Sequence, residues 1–241
     1  MAYYLGSKAD GMPSSEPRGP QVGGNGRLSR QHLPDTVHFL RLLDTVRSNY
    51  ERIQEEVGSG VTVVVATKYV SPKEMEALAE AGVPVVGENR LQDLEAKHAL
   101  FGERFRWHFI GHLQSRKARD VSGLCELVHS LDSLSAAKRL TIPALVEVNL
   151  SGEDTKSGVR KDELTSFLDE ARALGAEVRG LMTMPPLAND PEASRPYFRE
   201  LRELARQQSL TELSMGTSQD YRVAAEEGAT LVRVGSVLFG R

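Results

Sequence analysis

The run VTVVVAT at positions 61–67 constrains the fold of this chain more than any other feature. It is an almost unbroken β-branched stretch with no apolar–polar alternation, which reads as a strand buried on both faces, as in parallel sheets. Parallel strands need long crossovers, so such a strand predicts a β–α alternation after it. The sequence supplies one. Ser71 and Pro72 form a cap and first-turn pair for a helix reaching about residue 81, and Gly82 ends it. Further apolar strands are predicted at 83–87, 105–110, 126–130, 144–149, 178–182, 212–215 and 231–234. Helices are predicted between them at 90–100, 113–122, 133–140, 161–174, 191–208 and 219–227. A long helix comes before the first strand, with Val37, Leu40, Leu43, Val46, Tyr50 and Ile53 at helical spacing.

Eight such units in about 200 residues predict an α/β fold, a (β/α)8 TIM barrel. An open doubly wound sheet is the alternative, but the GxGxxG turn of a dinucleotide fold is absent after the first strand, which ends in Thr67 and Lys68. The segment between the fourth and fifth strands has room for only about two helical turns. Residues 1–30 are crowded with glycine, proline and serine and are predicted to be a disordered tail, leaving 31–241 as a single domain.

Composition narrows the function. With 40% apolar and 26% charged residues, a sizeable core is expected. A net charge of −3, with the cations spread along the chain, gives no case for a nucleic-acid or membrane partner. The one cysteine, Cys125, rules out an intrachain disulfide and agrees with a cytoplasmic location. No apolar run approaches the roughly 20 residues of a membrane span, and the N-terminus lacks the order of a secretory signal. No apolar stripe stands out, so a monomer is expected.

In a TIM barrel the active site lies at the C-terminal ends of the strands. Lys68 stands at the first of these ends. Desolvation beside other cations would make its amine nucleophilic enough for Schiff-base chemistry; taken alone, it reads equally as a lysine reaching from a strand end to solvent. Of two glycine–hydroxyl stretches, Ser214-Met215-Gly216-Thr217-Ser218 follows the seventh strand and Arg233-Val234-Gly235-Ser236 spans the end of the eighth. Loops at these two strands are the recurrent phosphate site of the fold. Arg233 alternates with Val232 and Val234, so it should point into the barrel. There it either pairs with Glu88 or another carboxylate, or contacts a heterocycle nitrogen. Trp107 and His108 alternate on the third strand, so one should face the helices. No His/Cys/Asp cluster has zinc-ligand spacing, and no GxSxG elbow is present.

Taken together these residues are recognisable. Ala66-Thr67-Lys68, Gly87-Glu88-Asn89, WHFIGHLQS at 107–115, SMGTSQD at 214–220 and VRVGS at 232–236 occur in the order found in one family. From about residue 35 to 241 the chain resembles the YggS/PROSC family of pyridoxal phosphate homeostasis proteins. The resemblance implies a fold-type III barrel like the N-terminal domain of alanine racemase, with pyridoxal 5'-phosphate (PLP) as cofactor. Lys68 would carry PLP as a Schiff base, with Asn89 near the ring or its 3-hydroxyl side and Met182 near the cofactor face. Ser214, Gly216, Thr217, Gly235 and Ser236 would hold the phosphate, and Arg233 would contact the pyridine nitrogen. Lys156 matches a family lysine near the mouth. Three departures stand out: the first 30 residues have no counterpart, the segment between strands four and five is short, and Val70 replaces a second lysine found in some members.

The resemblance implies a carrier that buffers PLP and supplies it to apo-PLP enzymes. The alternative is a single-domain racemase or amino-acid lyase. Racemases of this fold add a β-rich second domain and a tyrosine base. Such a domain is not expected after Arg241, and only Tyr69 and Tyr221 lie near strand-end loops. A barrel binding some other phosphorylated metabolite is a further reading, with Lys68 as a non-covalent phosphate partner.

Overall fold

The computed structural model of the chain describes residues 32–153 and 157–240. The tail expected at 1–30 and Lys156 lie outside the described residues. Helix α1 (His32–Val57) leads into β1 (Thr62–Ala66), followed by α2 (Pro72–Glu80), β2 (Val85–Glu88), α3 (Leu91–Phe101) and β3 (Arg106–Phe109). Then come α4 (Ala118–Ser122), β4 (Leu127–Leu131), α5 (Leu134–Ala137), β5 (Ala144–Asn149), β6 (Val159–Arg160) and α6 (Leu164–Ala173). The chain ends with β7 (Val178–Met182), α7 (Arg195–Gln207), β8 (Glu212–Ser214), α8 (Tyr221–Glu226) and β9 (Leu231–Val234).

Eight of the strands close into a parallel barrel in the order β1-β2-β3-β4-β5-β7-β8-β9. The seam is the β9–β1 pair, in which Val64 stands beside Arg233. This is the (β/α)8 barrel expected, and the doubly wound alternative falls because no strand edge is left open in the ring. The two-residue β6 was not foreseen; it pairs only with β5. Helix α2 starts as the sequence predicts, and adds a reciprocal pairing: Ser71 Oγ accepts from the Glu74 N–H while Glu74 accepts from the Ser71 N–H. The short segment between β4 and β5 yields the single turn α5.

The strand period of two divides the buried side chains into two layers. Val63, Val65, Val86, Trp107, Phe109, Val146 and Leu181 face the helices. Val64, Val85, Leu127, Leu145, Met182 and Leu231 fill the barrel, with Ile110 above them. Of the pair that sequence left open, Trp107 is therefore the helix-facing residue and His108 the inward one.

Candidate functional site

The residue before the lysine at the end of β1 is held by buried hydrogen bonds, while the lysine amine meets only the exposed Tyr69 among the described residues. Thr67 is fully buried, and its hydroxyl donates to Glu88 Oε1 at 2.6 Å. Lys97 from α3 donates to both the Thr67 carbonyl and Glu88 Oε1 at 2.5 Å. The second Glu88 oxygen accepts from the Asn89 N–H at 3.2 Å. One buried carboxylate thus fixes the ends of β1 and β2 where Lys68 and Asn89 emerge. A glycine at position 111 is required beside them, because a Cβ there would lie 2.1 Å from the Asn89 carbonyl oxygen. The Lys68 side chain is exposed, and its Nζ sits 4.7 Å from the centre of the Tyr69 ring.

On the neighbouring strand β9, Arg233 points inward and is 7% exposed. Its guanidinium donates to the Ser214 carbonyl at 2.9 Å, to the Ser214 hydroxyl, and to the Thr183 carbonyl at 3.0 Å. A further contact reaches Met184 Sδ at 2.9 Å. Among the described residues no carboxylate pairs with it directly, so the expected alternative of a salt bridge to Glu88 does not hold; Glu88 faces the helix layer and belongs to Lys97. Burial pulls the Arg233 pKa down to about 10, against the more distant charges of Glu147 and Asp220. Met182 lies nearby in the apolar filling of the barrel.

The two glycine–hydroxyl loops meet. Ser218 Oγ accepts from the Gly235 N–H at 3.0 Å and joins them. Gly216 has φ +91, and a Cβ there would come within 2.5 Å of Ala224 Cβ, so only glycine lets this loop lie against α8. The Thr217 N–H and hydroxyl both donate to Asp220, at 2.7 and 3.0 Å. Ser236 is exposed and opens a short 3-10 turn, whose first N–H groups have no acceptor within it. Thr217, Gly235 and Ser236 are therefore brought together as expected, with Ser218 added. Ser214 departs from this grouping: it is fully buried on the inner face, where its hydroxyl meets Arg233 and His129 Nδ1, because strand alternation turns it inward between Leu213 and Met215, which face the helices.

Two carboxylates stand at the mouth, of which sequence reading passed over Glu147. Glu147, inward on β5, accepts from Ser157 Oγ at 2.9 Å. Asp132, after β4, lies 3.4 Å from His112 Nδ1. Burial pushes both carboxyls up. The signal was a charge at an inward position between Leu145 and Asn149 in an otherwise apolar strand. Tyr221 is turned away from the mouth, its hydroxyl donating to Glu56 on α1. Cys125 is buried, which raises its thiol to about 12. No group of three potential metal ligands occurs among the described residues, and no described helix is long and apolar enough to cross a membrane.

Comparison with known proteins gives a consistent answer. Residues 42–241 match the family model for the alanine racemase N-terminal domain. A pyridoxal phosphate homeostasis protein of Aquifex aeolicus is 41% identical over 213 residues, 79% of this chain and 93% of that protein. The structure of PipY from Synechococcus elongatus with PLP bound superposes with a TM-score of 0.74 at 30% identity, covering 81% of this chain and all of PipY. Alanine racemase from Bartonella henselae, at 16% identity and a TM-score of 0.69, shares the fold over 83% of this chain and 59% of its own. With the site's motifs and these matches in agreement, the chain belongs to the pyridoxal phosphate homeostasis protein family, built on the alanine racemase N-terminal barrel.

Proposed function

We propose that the barrel mouth holds pyridoxal 5'-phosphate, with Lys68 as the point of covalent attachment, and that the protein buffers the cofactor and passes it to apo-PLP enzymes. The observation that carries this reading is Arg233: a buried guanidinium with no directly paired carboxylate among the described residues, under the same mouth as Lys68 and the joined glycine loops. Such a group can donate to a further acceptor in the mouth, and an unprotonated pyridine nitrogen is one. The cofactor supplies an aldehyde for reversible linkage to amines and a ring that acts as an electron sink when its nitrogen is protonated. Arginine cannot give up its proton, so here it donates to an unprotonated nitrogen and the sink stays weak. Holding is favoured over catalysis.

The remaining residues have matching tasks. Gly216, Thr217, Ser218, Gly235 and Ser236 hold the phosphate with hydroxyls and backbone N–H groups. Asn89 stands on the 3-hydroxyl side, and Met182 packs beneath the ring. Ser214 serves Arg233 instead of the phosphate. The exposed Lys68 amine can turn from Tyr69 to the mouth without breaking a buried contact. The protein works as a monomer in the cytoplasm; its larger exposed apolar side chains are scattered over α1, the mouth loops and two outer helices.

The test is the absorption spectrum of purified protein with PLP, before and after borohydride, with peptide mapping. A visible band and a reduced adduct on Lys68, both lost in Lys68→Ala, are expected. No band at excess PLP would overturn the reading. Enzyme-like α-proton exchange on added amino acids, lost in Lys68→Ala, would replace the carrier by a racemase or lyase.

A further inference from the structure

A chain of hydrogen bonds crosses the barrel beneath the mouth and uses two histidines that no step above requires. His108 Nδ1 lies 3.0 Å from His129 Nε2. His129 Nδ1 lies 2.8 Å from Ser214 Oγ. Ser214 Oγ in turn accepts from Arg233. All four side chains are buried, His129 and Ser214 completely.

Donor bookkeeping gives this chain one direction. Arginine has only donors, so Ser214 Oγ must accept from it. The Ser214 proton then needs an acceptor, and among the described residues the one in reach is His129 Nδ1. The reverse arrangement, with His129 Nδ1–H donating to Ser214, would leave the serine proton unpaired in a buried site, at a cost of about 1–3 kcal/mol. His129 must therefore carry its proton on Nε2 and donate it to His108 Nδ1. His108 in turn is protonated on Nε2, at the pocket of about 310 Å³ at the base of the barrel that it lines with Arg106 and Glu126. Burial keeps both rings neutral at neutral pH: His108 falls to about 4, and His129 well below its usual value.

We propose that His129, backed by His108, is a positioning residue for Arg233: it fixes the Ser214 hydroxyl as an acceptor and so holds the guanidinium in the orientation that meets the ring nitrogen. The link to the ring nitrogen rests on the PLP reading; the ordering of Arg233 does not. A carboxylate in that place would hold the arginine more tightly, but would compete with the ring nitrogen for the same N–H groups. A neutral serine–histidine relay orients the arginine and leaves its charge uncancelled.

The first test is nitrogen-15 NMR on the protein without PLP. Both histidines are expected as the Nε2–H tautomer, and Arg233 as a guanidinium with slowly exchanging, resolved Nη protons. His129→Phe should lose the resolved Arg233 signals, weaken PLP binding about tenfold, the equivalent of one hydrogen bond, and shift the visible band. His129→Gln, which keeps one acceptor and one donor, should recover most of each. An Nδ1–H tautomer at His129 overturns the proposal, even if no variant folds. So does a His129→Phe protein whose Arg233 signals match the wild type. If the wild type shows the predicted tautomers and an ordered Arg233 but no PLP band, the cofactor reading fails and the positioning of Arg233 stands.

Discussion

Two buried charges lie on opposite faces of the same barrel wall and are treated differently. Glu88, on the helix side, is fully buried and saturated: Lys97, Thr67 and the Asn89 N–H all donate to it. Arg233, on the inner side, is nearly as buried but among the described residues is held by carbonyls, one hydroxyl and a thioether. A buried charge without a counter-charge costs stability, and natural cores avoid it unless it serves something else. The helix-side layer therefore reads as architecture that holds the strand ends still. The inner layer reads as a site in which charge is kept available for a ligand.

The sharpest way to break this comparison is to remove the partner of the saturated charge. Lys97→Met should leave Glu88 uncompensated and cost about 3–5 kcal/mol in urea unfolding. Because the same ammonium also holds the Thr67 carbonyl, PLP attachment at Lys68 should weaken as well. If unfolding shifts by less than about 1 kcal/mol, the pair behaves as a surface ion pair and the contrast with Arg233 is lost.

A smaller effect separates the layers by pH. His108 is held neutral by burial, helped by the charge of Arg106, so its pKa falls from 6.5 to about 4. In the unfolded chain it takes up a proton below 6.5, while the folded chain waits until about 4. The unfolded state therefore binds more protons in that window, and stability falls as pH drops through it. His108→Gln should remove about 2 kcal/mol of this loss. Thermal melts between pH 7 and pH 4.5 would read it, and parallel profiles for variant and wild type would show that water reaches the ring.

The helix-side layer was legible in the sequence and the inner layer only in part. The β-branched run at 61–67, the Ser71–Pro72 start and the spacing of the later strands were enough to count the barrel, because local period and caps determine them. Arg233 could be read as inward from simple alternation. Ser214 reads as loop chemistry in the sequence because it stands beside a glycine stretch, whereas its partners in the fold lie 85 positions away at His129 and 19 away at Arg233. Glu147 and His129 were passed over for the same reason: each stands in an apolar strand and gains its meaning only when the ring closes. The carboxylate of Glu88 was visible as part of a motif, but its bond to Lys97 was not, since Lys97 looks like any lysine on an exposed helix face.

The smallest effect completes the pH comparison from outside the barrel. Glu56 on α1 accepts from Arg222 at 2.6 and 3.0 Å, from Arg52 at 3.1 Å, and from the Tyr221 hydroxyl. Partial burial pushes this carboxyl up, but the three donors outweigh it and hold it at about 2. The sign is that of a lowered acid: its contribution is complete above the unfolded value of 4.5 and is lost as pH falls towards 2. Since its arginine partners are largely in solvent, the contribution is discounted to about 1 kcal/mol. Glu56→Gln should cost that much at pH 7 and nothing at pH 2. Acid should therefore act on this protein in two stages, first at the buried histidine inside the barrel below pH 6.5, then at the α1–α8 clasp below pH 4.5. A wild-type profile that is flat down to pH 4.5 would show that the buried histidine gives up no stability to protonation, and would leave only the loss at the α1–α8 clasp.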